Sequence, residues 1–191
     1  IREPGSWFRA SNATVIGDVT LGEFASVWFF TLVRGDVAPI EIGAYTNLQD
    51  AVVVHCETGL PNRIGAYCTI GHRAILHGVE IGDRALIGMG AIVLSRARIG
   101  AEAIVAAGAV VKEGFVVPDG TLVAGVPARV LREITDAERE SLLGSAQRYA
   151  QLAQAWSEND VVTPDLVRKL DQASGLGPFR TDKLRESPPG S

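Results

Sequence analysis

Aliphatic residues recur every six positions through most of this chain. The series runs through Val15, Leu21, Val27 and Val33. It resumes at Ile42, Leu48 and Val54, then at Ile64, Ile70 and Leu76. It closes with Ile81, Ile87, Val93, Ile99, Val105 and Val111. Glycine often follows at once, as at Gly22, Gly43, Gly65, Gly71, Gly82, Gly88 and Gly100, and a small residue often stands four places on, as at Ala25, Thr46, Cys68, Ala74, Ala85, Ala91 and Ala103. This period matches neither the 3.6-residue turn of a helix nor the two-residue alternation of a hairpin sandwich. It fits a triangular prism with one hexapeptide per side, its aliphatic residue pointing inward and its small residues letting the chain corner tightly. Three sides make a coil of about 18 residues, and coils stack at strand spacing, about 4.8 Å, burying together a core that no single coil could bury.

Composition agrees with this and excludes several function classes. The chain is 47% hydrophobic but only 6% aromatic, with 21 glycines, as a core of Val, Ile, Leu and Ala with many corners requires. A net charge of −4 offers no basic surface for nucleic acid. No apolar run is long enough to span a bilayer and no signal-like segment opens the chain, which begins at Ile1 as a trimmed start would. Cys56 and Cys68 have no metal-like spacing and read as reduced thiols of a cytoplasmic protein.

The prism resembles that of hexapeptide-repeat proteins over roughly residues 12–118, and this resemblance implies a left-handed parallel β-helix. We expect a β-helix domain over 1–131, with Asp119 to Leu131 as the exit from the prism. A C-terminal α-helix packed on the prism is expected over 132–160, its turns spanning about 136–157. Thr135 and Glu138 have the spacing of a capping box at its start. Ile134, Leu142, Leu143, Tyr149, Leu152, Ala153 and Trp156 supply its apolar stripe. The segment 161–191 reads as a short helix, Pro164 to about Ser174, and a flexible tail rich in Gly, Pro and charge.

The repeat also places the only three histidines. Val54 and Leu76 fall on the same side of successive coils once a loop at Glu57–Asn62 is allowed for, so His55 and His77 stack on the outer surface. Arg34 heads that column, one coil earlier, across an interruption near Pro39. His72 lies on the preceding side, above Asp50 and beside Gln49, separated from His77 by a corner. Histidines on adjoining sides of one prism cannot readily chelate one ion. In a homotrimer of prisms packed side by side, His55 and His77 of one chain would face His72 of the next, giving three imidazoles and an open fourth position, the pattern of a catalytic metal site.

The segments Arg34-Gly35-Asp36, Asn47-Leu48-Gln49-Asp50, Val54-His55, Gly71-His72 and Ile75-Leu76-His77-Gly78 resemble the signature of the γ-class carbonic anhydrases and their bacterial ferripyochelin-binding-protein-like relatives. The resemblance implies that His55, His72 and His77 are metal ligands. It implies that Arg34 pairs with Asp50 of a neighbouring subunit, that Gln49 hydrogen-bonds the attacking hydroxide, and that Asp36 and Asn47 support the site. Tyr149 matches a helix tyrosine that reaches the site in relatives, and is otherwise a core aromatic. Zinc is the implied metal, with iron(II) and cobalt(II) as alternatives, and carbon dioxide and bicarbonate are the implied substrates. Two departures stand out. Val37 replaces a glutamate after the Arg-Gly-Asp segment, and the loop Cys56 to Asn62 is short, with Glu57 its only acid, either a proton shuttle or a solvated charge. Two other functions share the prism: a non-catalytic metal-binding trimer acting as a scaffold, and an acyltransferase using an acyl-coenzyme A, which needs one histidine base rather than three.

Overall fold

Most hexads become one short strand and one corner in the computed structural model, which describes residues 7–158 and 163–174. Among these residues the strands stack in register on three faces. The first face carries Phe8–Arg9, Ser26–Val27, Asn47–Leu48, Thr69–Ile70, Leu86–Ile87, Ile104–Val105 and Thr121–Gly125, all parallel. The long strand Leu32–Ile42 turns a corner. Thr14–Leu21 pairs along both of its halves, and beyond it the first half pairs with Val53–His55 and the second with Asn62–Ile64, so the second and third faces form one ten-stranded sheet. Ile75–His77, Ile92–Val93 and Val110–Val111 continue the second face; Glu80–Ile81, Arg98–Ile99 and Val116–Val117 continue the third. The product is the parallel β-helix of hexapeptide repeats followed by a C-terminal helix.

The period works because each coil's inward residue meets that of the next. From Leu21 to Val111 every aliphatic residue of the hexad series is buried, and Val117 and Val123 extend it. Full burial of such a side chain contributes about 1.5–3 kcal/mol. The corners oppose this. At most corners from Leu21 to Val117 the residue three places after the inward aliphatic has a positive φ, the exceptions following Val33, Val54 and Leu76, and at nine such corners among the described residues it is not glycine: Phe24, Phe30, Tyr45, Ala51, Tyr67, Arg73, Arg84, Arg96 and Glu102. Each costs roughly 1–2 kcal/mol, so burial in the hexad outweighs its corner. The glycine that follows the aliphatic residue serves another purpose. A Cβ at Gly43 would lie 2.4 Å from the backbone of Gly65, and one at Gly88 2.4 Å from that of Ala107. These positions lack a side chain so that the next coil can stack.

The chain leaves the prism differently from the expected simple exit. Thr121–Gly125 is still a rung of the first face, and Ala128–Glu133 folds back on it as an antiparallel strand. The reason is sequence-local: Gly125 (φ 100°), Val126 and Pro127 make the reversal. Helix α1, Asp136–Glu158, then runs along the first face. Thr135 and Glu138 form the expected capping box: Thr135 N–H donates to Glu138 Oε2 at 2.8 Å and Glu138 N–H to Thr135 Oγ1 at 3.2 Å. Arg132 adds a two-pronged pair to Glu138 at 2.8 and 2.9 Å. These hydrogen bonds, Arg132 foremost, hold the Glu138 carboxyl down to about 2. Ile134 and Leu142 pack on Ile104, with Leu86 and Leu122 at the margin. Further along, Tyr149 meets Trp28 edge-on and Trp156 meets Phe29 edge-on. Helix α2, Pro164–Ser174, follows the expected bounds and packs against α1. The expected tail, 175–191, lies outside the described residues. No helix among the described residues is long and apolar enough to cross a membrane. Cys56 and Cys68 are free and buried, and burial pushes the Cys68 thiol up to about 12, so it carries no thiolate chemistry.

Candidate metal centre

Strand register brings the column together as the spacing predicts. Arg34 pairs with His55, and His55 with His77, on successive rungs of the second face. The two imidazole centroids are 5.3 Å apart. Val54 and Leu76 point inward beneath them, which forces Val53, Ile75 and both histidines outward. His72 lies just beyond Thr69–Ile70 on the first face, across the corner at Arg73, again as predicted.

Hydrogen bonds define the donor atoms. His72 Nδ1 lies 2.9 Å from Asp50 Oδ2. A carboxylate only accepts, so Nδ1 carries a proton, and in the neutral imidazole the lone pair then falls on Nε2. Asp50 is itself held, its Oδ1 accepting the Phe29 N–H at 3.2 Å. His77 Nδ1 sits 3.0 Å from Ser95 Oγ, which leaves its Nε2 unengaged by that contact. His55 differs: its Nε2 is 3.0 Å from Asp36 Oδ1, so a cation taken by this nitrogen replaces that proton. Asp36 also accepts from Arg34 at 2.5 Å. Although desolvation works against it, these bonds from Arg34 and His55 hold the Asp36 carboxyl below its ordinary value. Within one protomer, then, Arg34 faces Asp36 and Asp50 faces His72.

Behind the histidines the polar residues are buried and paired. Gln49 Oε1 accepts the His72 backbone N–H at 3.2 Å, and its Nε2 donates to Asn47 Oδ1 at 3.2 Å. Tyr149 stands edge-on to Trp28, 5.4 Å between centroids, close enough to Asp50 to feel its charge. Burial, with that charge adding to it, pushes its phenol up to about 12, so it stays neutral. Tyr149 is thus both a packed aromatic and a neighbour of the site. Glu57 is drawn away: Arg96 holds it at 3.1 Å and pairs with Glu113 as well. It is a solvated, paired charge. Sequence spacing had not singled out Ser95, Thr69 or Ser145. Ser95 could have been found by following the column one coil further, past Leu94. Ser145 belongs to α1, whose docking has no six-residue signature.

Three neutral imidazoles are the donor set of a zinc site with an open position. With zinc–nitrogen bonds of about 2.0–2.1 Å and tetrahedral angles, two ligating rings have centroids about 5 Å apart, which the His55–His77 pair satisfies. Among the described residues of a single chain, no three His, Cys, Asp or Glu side chains converge on one point. The paired donors of His55 and His77 fit a divalent cation.

Comparison with known proteins adds the family. Residues 78–113 match the model of the bacterial transferase hexapeptide (six repeats). A carbonic anhydrase of Geobacillus kaustophilus is 48% identical over 149 residues, 78% of this chain and 82% of that protein. The mitochondrial gamma carbonic anhydrase 1 of Arabidopsis thaliana is 42% identical over 195 residues, 95% of this chain and 71% of that protein. Among solved structures, a hexapeptide transferase family protein from Anaplasma phagocytophilum superposes with a TM-score of 0.76 at 43% identity, covering 78% of this chain and 89% of that one. Histidines placed by the repeat, and relatives alike over most of their own length, lead to one conclusion: the chain belongs to the γ-class carbonic anhydrase family.

Proposed function

We propose that this chain catalyses the reversible hydration of carbon dioxide to bicarbonate. It does so as a homotrimer with a divalent metal, zinc, at each subunit contact. His55 and His77 of one protomer hold the metal together with the partner subunit's His72. The observation that carries this reading is the in-register His55–His77 pair, 5.3 Å apart, with His72 round the corner and its Nε2 left free by Asp50. Arg34 would then exchange Asp36 for Asp50 of the partner, a two-pronged pairing that fixes the register of the prisms. Imidazole also suits iron(II) and cobalt(II), so metal analysis decides among them.

A divalent cation supplies the Lewis acidity that makes water a nucleophile near neutral pH. The protein does the rest. Gln49 turns its carbonyl oxygen toward the His72 side of the site and orients the attacking oxygen. The outward strip of Val53 and Ile75 beside the histidines receives an apolar substrate. Asp50 holds His72 in one tautomer. With Glu57 tied to Arg96, the proton released passes to external buffer rather than through that side chain.

Stopped-flow hydration of carbon dioxide by zinc-reconstituted protein tests the proposal. Turnover that rises with buffer concentration is expected, with loss of both zinc and activity in His72→Ala. Full zinc without turnover would leave the non-catalytic scaffold reading. Near-stoichiometric zinc in His72→Ala would refute the shared site.

A further inference from the structure

A second chain of polar side chains runs from Gln49 away from the histidines, under α1. Asn47 Nδ2 donates to the Cys68 carbonyl at 3.2 Å and to Thr69 Oγ1 at 3.1 Å. Thr69 Oγ1 donates in turn to Ser145 Oγ of α1 at 3.2 Å. Asn47, Thr69, Gln49 and Ser145 are all buried. Asn47 and Thr69 sit on neighbouring rungs of the first face.

This chain has a direction, and the direction matters. A hydroxyl has one proton. The Cys68 carbonyl can only accept, so it keeps Asn47 Nδ2 on this side; Thr69 Oγ1 accepts from that nitrogen and gives its own proton to Ser145. Asn47 therefore turns Nδ2 toward Thr69 and Oδ1 toward Gln49. Gln49 then turns Nε2 toward Asn47 and Oε1 toward His72. Were Thr69 to point its proton at Asn47, both amides would favour the reverse arrangement, and Gln49 would present a donor to the His72 N–H. The Cys68 carbonyl opposes that reversal at Asn47, and the His72 N–H opposes it at Gln49. A buried amide with donors facing donors loses its hydrogen bonds without water to replace them.

We propose that Thr69 and Ser145 are positioning residues that set the amide of Gln49 from behind, so that the docked helix α1 fixes which atom Gln49 offers to the reaction. The proposal rests on the hydration reading for its consequence, but not for its geometry. Groups that hydrogen-bond a metal ligand are commonly worth 10–100-fold in affinity or activity; Thr69 stands two hydrogen bonds behind Gln49, so the low end of that range is expected.

The test uses Thr69→Val, which keeps shape and removes the hydroxyl, with Thr69→Ser as the conservative partner and Ser145→Ala as a second route. The first readout is hydrogen exchange of the Gln49 and Asn47 side-chain amides by NMR in the metal-free protein. The second is kcat/KM of the zinc-loaded protein, at unchanged zinc stoichiometry and oligomer mass. Thr69→Val should exchange these amides at least about tenfold faster and lose about tenfold in kcat/KM. Thr69→Ser should retain wild-type values in both, and Ser145→Ala should fall between. Unchanged amide protection in Thr69→Val, or Thr69→Ser as impaired as Thr69→Val, would overturn the proposal. If Thr69→Val does not fold, amide protection in Ser145→Ala equal to wild type overturns it instead. A wild-type protein that binds zinc but does not hydrate carbon dioxide would defeat the functional reading alone, since amide exchange decides the relay without it.

Discussion

At the scale of single residues, this chain gives one residue type different work according to its place in the hexad. A histidine one place after an inward aliphatic residue joins the outward-facing column; a histidine two places after one stands at the corner. That distinction was legible in the sequence, because register follows from counting sixes. The partners of the histidines were less legible. Asp50 under His72 followed from the count, but Ser95 beside His77 and Asp36 beside His55 depend on rotamers, which no spacing specifies. Glycine shows the same positional logic. Gly43 was legible as a small residue near a corner, yet what it does is admit the backbone of Gly65. Gly43→Ala places a Cβ against that backbone, and overpacking of this kind costs about 1–3 kcal/mol. The unfolding free energy should fall by that amount, read as a lower urea midpoint at an unchanged slope, and a variant as stable as wild type would show that the coils can separate freely.

At the scale of elements, the short strands were legible because their inward residues repeat without helical or alternating competitors. The corners were not. Nine carry a left-handed backbone on residues as unlike as Phe30, Arg73 and Glu102, because the closed coil imposes the conformation and the buried column outweighs its cost. The hairpin Thr121–Gly125 with Ala128–Glu133 was hidden for a related reason: antiparallel pairing is specified by the partner strand already in place. Helix α1 was legible from its cap. Glu138 is held at about 2, below its ordinary value of 4.5, chiefly by Arg132 and against the opposing effect of burial. A carboxyl lowered on folding stabilises above its unfolded pKa, and that contribution is lost as pH falls from about 4.5 toward about 2. Glu138→Gln keeps the capping box but loses the charge paired with Arg132, so it should lower the melting temperature at pH 7. The difference from wild type should shrink as pH falls through that window; a gap independent of pH would place the effect in packing.

At the scale of the whole molecule, a prism carries its side chains outward on three faces, so ligands on adjoining faces diverge unless a second copy closes the gap. On the proposed shared site, metal loading would be coupled to assembly, and removing zinc should weaken the proposed trimer. Mixed oligomers test this sharing most directly. His72→Ala keeps the pair His55 and His77; His55→Ala keeps His72. Neither variant alone has a complete site at any interface. In a mixed trimer with cyclic symmetry, one interface always joins an intact pair to an intact His72. Refolding the two variants together should therefore restore one zinc per mixed trimer by mass spectrometry, against none in either parent. Mixed trimers that stay as empty as their parents, or parents that bind zinc fully by themselves, would contradict a metal centre built between protomers.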